Sequence, residues 1–223
     1  MALFTPKKVV LNWYRYDVSF SIELIISFVQ GIEKQAADSV AAFRASKHSK
    51  NGHQGLDESS WDLKEIFEAY FPSLQRSSAF LTVWGFLEHE LDKLCLQYQS
   101  EKGFRLTLSD LNGKGIDRST SYLEKVAGLE GLKSSKEWDE IKTVQRIRNV
   151  IAHNSGRLRD HQGNPKSAIV EDMKKLGFLG GDDEIILDEG FLSKVIDACH
   201  GYFKVIAAAV DAKEIPTLAK PGK

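Results

Sequence analysis

The sequence predicts an all-α fold, an up-and-down bundle of four to five main helices in a single domain. Three observations predict it. Apolar residues recur every three or four positions over long stretches. Capping residues and glycines bracket those stretches. No internal repeat or linker-like segment interrupts the 223 residues, a length that one large domain accommodates.

The first helix is expected from about Asp17 to Lys47, with Phe20, Leu24, Phe28 and Ile32 inward and Ala36, Val40 and Phe43 continuing the stripe. His48 to Gly55 reads as a loop. Ser59, with Asp62 three residues on, can cap a short helix carrying Ile66, Phe67 and Tyr70, and Pro72 marks its junction with the next. That next helix spans about Ser73 to Glu101, and Phe80, Trp84, Leu87, Leu91, Leu94 and Tyr98 form its seam. Gly103, Gly113 and Gly115 mark a loop, and Asp117 to Ala127 a short helix. Ser134-Ser135-Lys136-Glu137 reads as a capping box opening a helix that buries Trp138, Ile141, Val144, Ile147 and Ile151 and stops near Gly156. Between Gly163 and Asp188, Ile169-Val170 and Ile185-Ile186-Leu187 suggest one short β-hairpin around Gly180-Gly181. The last helix runs from about Glu189 to Ala212, with Leu192, Val195, Ile196, Cys199, Phe203 and Ile206 inward. The domain therefore covers 1–223, with its core at about 17–212 and a frayed tail from Lys213.

Composition narrows the function classes. Apolar residues at 42% and charged residues at 27% fit a globular chain rather than a disordered or membrane-embedded one. Thirty basic residues against 31 acidic ones leave a net charge of −1, so any nucleic-acid contact must come from a local patch. Cys95 and Cys199 both sit in apolar helical patterns and read as reduced core residues, not as a disulfide or zinc framework. Asn12, Arg15 and Asp17 break up the N-terminal apolar run, so no secretory leader is expected and the cytoplasm is the default compartment. Val18 to Ile32 is too short and polar for a membrane span.

One segment carries chemistry. From Ile141 to Asp160, Lys142, Arg146, Arg148, Arg157 and Arg159 oppose only Asp160. At about 100° per residue, Val144, Ile147 and Ile151 share an inward arc. Arg146, Asn149 and His153 share a polar stripe, and Arg148 flanks it. Such a set fits phosphodiester cleavage. A histidine can take a proton from a ribose 2′-hydroxyl or give one to a leaving 5′-oxygen. An arginine forks two donors onto a phosphate, and an asparagine orients phosphate or imidazole. RNA brings its own nucleophile, so the scheme needs neither a metal nor a cofactor. A solvated helix face with a histidine favoured by the C-terminal dipole accounts for the same residues.

Arg148-Asn149-Val150-Ile151-Ala152-His153 resembles the signature of the HEPN superfamily, an arginine followed by a polar residue and, after a short spacer, a histidine. Phe86-Leu87-Glu88-His89-Glu90-Leu91 is similar to that family's other well-marked helix, and Leu108 to Leu123 resembles the lead-in of some bacterial members. The resemblance covers about Leu74 to Gly156. It implies a helical bundle that forms a homodimer with two motifs facing one cleft, and a metal-independent endoribonuclease acting on RNA as a toxin or antiviral effector. It also implies a nucleotidyltransferase-type antitoxin or another defence partner. On this resemblance Arg148 and His153 are catalytic, Asn149 is a supporting polar residue and Glu88 a supporting partner, while Lys142, Arg146, Arg157 and Arg159 steer RNA. The alternative it leaves open is a non-catalytic module that binds a nucleotide or a partner protein.

Other groups read as structural. His89 sits on a solvated flank, and Asp182-Asp183-Glu184 makes a charged turn without the spacing of a calcium loop. Trp61, Trp84 and Trp138 are expected in the core, and Trp13, Tyr14 and Tyr16 are expected to be buried against the bundle.

Overall fold

The computed structural model describes residues 9–47, 63–160, 162–176 and 183–215. Ser59, Trp61, Asp62, Gly180-Gly181 and the tail beyond Ile215 lie outside the described residues. The fold is all-α.

Val9–Asn12, Trp13–Val18 and Ser19–Lys47 follow without a break and form helix α1; Leu63–Glu65, Ile66–Tyr70 and Phe71–Lys102 likewise form α2. Then come α3 (Gly115–Lys125), α4 (Lys136–Asn154), α5 (Ser167–Lys175) and α6 (Phe191–Glu214). None of the described helices is long and apolar enough to cross a membrane.

Both long helices contain a π-helical stretch. In α1 it covers Trp13–Val18, where the backbone N–H and the hydroxyl of Ser19 both donate to the carbonyl of Tyr14, five residues back. In α2 it covers Ile66–Tyr70 and closes with the Phe71 N–H on the Ile66 carbonyl. Pro72 follows at once. A proline inside an α-helix lacks one hydrogen bond and crowds the carbonyl four residues earlier, here Glu68. The wider π-turn around Glu68 gives that carbonyl room. The junction expected at Pro72 is therefore a continuous helix.

The chain forms two compact units, and α1, α2, α4 and α6 each contribute to both. One unit draws on Met1–Glu23, Gly85–Ile141 and Asp197–Lys223. Its core holds Trp13, Leu87, Leu91, Leu94, Tyr98, Ile116, Tyr122 and Phe203. Trp13 meets Phe203 edge-on at 5.7 Å, and the Tyr202 and Thr120 hydroxyls bond at 2.9 Å. The other unit draws on Leu24–Trp84 and Lys142–Ile196. There Val29, Ala36, Phe80, Trp84, Val144, Ile147, Phe191 and Leu192 are buried, with Phe80 edge-on to Phe191.

The α2 seam is buried at all six predicted positions, and so are the six inward residues of α6. Cys95 and Cys199 are both buried as free thiols, and burial pushes the Cys199 thiol up to about 12.

Helix α1 differs from expectation. Phe20, Leu24 and Phe28 are exposed by 62%, 56% and 39%. From Ser19 on, the buried residues are Ile22, Val29, Ala36 and Phe43. Ala36 and Phe43 are inward as expected, whereas Ile22 and Val29 are buried in place of Phe20, Leu24 and Phe28; periodicity alone does not say which apolar positions meet a neighbour. In the same helix Trp13 is fully buried while Tyr16 is 55% exposed.

The hairpin is also replaced. Ile169-Val170 lie in α5, where Ile169 and Met173 share the buried face four residues apart. Among the described residues the only extended pairing is two isolated bridges, Arg157 with Glu184 and Arg159 with Pro165. The cap of α4 is shifted by one residue: the Ser135 hydroxyl accepts the Trp138 N–H at 3.1 Å, while Ser134 turns back to the Gly131 carbonyl.

Glu90 is a charged residue inside the first unit. It is 3% exposed, one carboxylate oxygen has no hydrogen-bond partner, and Lys93 stands 3.9 Å away. Burial pushes its carboxyl above the usual range; Lys93 and His89 oppose this, and Asp17 adds to it. The unfolded chain therefore loses this proton at lower pH than the fold does. Stability falls as pH rises from the unfolded value through the folded one. Glu90→Gln is expected to stabilise the protein by about 1–3 kcal/mol at about pH 8, the cost of an unsatisfied buried polar group, and by much less near pH 5. Urea unfolding of both proteins at the two pH values measures this; an equal gain at both would refute it.

Candidate functional site

The predicted chemistry sits on α4 and the turn after it. Ile141, Val144 and Ile147 are buried without remainder, and Val150 rather than Ile151 completes the inward face. That packing turns the opposite side of the helix outward. Asn149 and His153 are exposed, and Arg148 is half-buried beside them.

Arg148 donates from Nη1 to Oδ1 of Asn149 at 3.2 Å, while its Nε is buried with no partner. A guanidinium desolvated on one edge gains more from an anion at its other edge than a fully hydrated one does. His153 lies in the last turn of α4.

The helix ends sharply. The Gly156 N–H returns to the Val150 carbonyl at 3.1 Å, six residues back. Ser155, not a glycine, takes the left-handed conformation with φ 50°, and Gly156 follows at 77°. The Asn154 side chain fixes the exit by donating to the Arg157 carbonyl at 2.9 Å.

The four predicted steering cations divide. Arg146 is held by Asp172: its Nη2 donates to Oδ1 at 2.8 Å and to the Thr143 hydroxyl at 3.1 Å, and its Nε pairs with the other carboxylate oxygen. The Asp172 side chain is 4% exposed. Hydrogen bonding from Arg146 holds this carboxyl below the usual range, against the opposing effect of burial. Arg159 pairs with Asp183 and also reaches the Gly163 carbonyl. Lys142 bonds the Gln145 side chain. Arg157 is exposed.

Glu88 belongs to the other compact unit, where it is half-buried against the start of α3. Gly115 has φ 52°, which favours glycine, and a Cβ there would push the Glu88 carboxylate aside.

Three neighbours of these residues escaped the sequence reading: Asp172, Lys175 and Lys166. Lys175 approaches Asp172 at 3.6 Å, and Lys166 donates to the Arg157 carbonyl at 3.1 Å. The available signal was the spacing of Ile169 and Met173, which marks a helix rather than a strand.

Among the described residues no three His, Cys, Asp or Glu side chains are grouped to hold a metal ion. What the site offers is an exposed imidazole, an exposed carboxamide and a forked cation within about one and a half helical turns. That set can bind a phosphate and move a proton beside it. No family model matches the chain, and no match to a curated protein or a solved structure was found.

Proposed function

We propose that this chain is a metal-independent endoribonuclease of the HEPN type, acting as a toxin or antiviral effector. One observation carries the reading: Asn149 and His153 share the solvent-facing side of the end of α4, and Arg148, half-buried beside them, is bonded to Asn149.

In the proposed reaction the ribose 2′-oxygen attacks the adjacent phosphorus and the 5′-oxygen leaves, giving a 2′,3′-cyclic phosphate. His153 removes the 2′-hydroxyl proton or protonates the departing 5′-oxygen. A second motif, from a homodimer partner, would supply the complementary transfer. Arg148 binds the non-bridging oxygens as negative charge grows on them, and Asn149 holds the Arg148 guanidinium in place. A partner antitoxin would act by blocking this face.

A second reading, a module that binds a nucleotide or protein without cleaving it, draws support from Arg146 and Arg159. Both are engaged by carboxylates and so add less to RNA steering than the sequence suggests.

The deciding experiment incubates the protein with RNA in excess chelator and reads product ends by mass spectrometry. Cleavage that persists and leaves cyclic phosphate ends is expected. A folded protein that cuts none of a broad set of RNAs would refute the nuclease reading and favour the binding module.

A further inference from the structure

Helix α5 was read from sequence as part of a hairpin, yet it runs back along the motif helix. The Lys166 N–H bonds the Leu158 carbonyl, Arg159 bridges Pro165, and further on Asp172 receives Arg146. Helix α5 is therefore antiparallel to α4. Its start lies level with the exit from α4, and its end lies level with Arg146, about 14 Å along at 1.5 Å per residue. Arg146 belongs to the same stripe as Asn149 and His153, so that stripe borders α5.

Charge follows the same line. Arg146 and Lys175 both meet the carboxylate of Asp172, Lys175 at 3.6 Å. At the other end Lys166 donates to the Arg157 carbonyl and pairs with no carboxylate among the described residues. Of the acids nearby, Glu171 bonds Lys174, and Asp160 accepts the N–H groups of Gln162 and Asn164 in its own turn.

We infer that α5 is the second wall of the RNA-binding surface, with Lys166 and Lys175 as phosphate contacts at its two ends beside the Asn149–His153 stripe and Asp172 as the residue that positions Lys175. This rests on the proposed RNA reading. It shifts the electrostatic work from Arg159, which Asp183 neutralises, to two lysines of a different element.

The test is binding of a short single-stranded 2′-O-methyl oligonucleotide, which lacks the nucleophile and cannot be cut, followed by fluorescence anisotropy over a salt series. Lys166→Ala and Lys175→Ala should each lower the slope of log affinity against log salt by about 0.7, one phosphate contact on a single strand. Arg159→Ala should leave the slope nearly unchanged. Circular dichroism confirms that the variants fold. Wild-type protein that binds with a clear salt slope, alongside lysine variants with the same slope, would overturn the inference and leave the RNA reading standing. Wild-type protein that does not bind at all would overturn both.

Discussion

Arg76→Ala is expected to cost about 3–5 kcal/mol of folding stability, the range for breaking a buried ion pair from one side. Arg76 is 9% exposed. Its Nε donates to both carboxylate oxygens of Glu33, at 3.1 and 2.9 Å, and its Nη2 adds a third bond at 2.8 Å. Its Nη1 donates to the Leu187 carbonyl at 3.1 Å, and the Leu187 N–H returns to the Ser73 hydroxyl at 2.9 Å. One side chain thus joins α1, α2 and the segment leading into α6. Alanine would strand the Glu33 carboxylate and the Leu187 carbonyl away from any countercharge or donor. The Glu33 side chain is 20% exposed, so water recovers part of that loss and places the effect toward the lower end. Urea unfolding should show a lower midpoint with an unchanged slope. The double variant Arg76→Met with Glu33→Leu should recover most of the stability, because a pair replaced by apolar groups leaves no orphan charge. A single-variant loss under about 1 kcal/mol would show that the cluster contributes little.

On the proposed nuclease reading, His153→Ala should lower single-turnover RNA cleavage by about 10²–10⁴-fold, the usual contribution of a positioned acid or base. Binding of the uncuttable oligonucleotide should change little, because the imidazole acts on a proton rather than on the phosphate charge. Arg148→Ala should reduce both rate and affinity. Arg148→Lys should restore affinity better than rate, since lysine keeps the charge and loses the planar fork. His153 is exposed, so its removal should shift stability by no more than about 0.5 kcal/mol. A rate equal to wild type in His153→Ala would remove this residue from the chemistry.

The sequence determined what local geometry controls. Six seam positions of α2 and six inward positions of α6 follow from a spacing of three and four, because a helix puts such residues on one side wherever it packs. For the same reason Asn149 and His153 were legible as neighbours on one outward stripe of α4, with Arg148 flanking it. Tertiary structure decided which apolar positions in the first part of α1 are buried. Ala36 and Phe43 are inward as their spacing suggests, but Ile22 and Val29 are buried in place of Phe20, Leu24 and Phe28, and that outcome depends on what lies opposite. Tertiary structure also made residues 167–175 a helix. Two adjacent β-branched residues suggest a strand until the packing of Ile169 and Met173 and the pairing of Asp172 with Arg146 outweigh them. The charges of the candidate site were settled in the same way. Arg146 and Asp172 are 26 residues apart and Arg159 and Asp183 are 24 apart. A count along the chain finds an excess of cations there, because an ion pair depends on distance in space and leaves no mark in the order of residues.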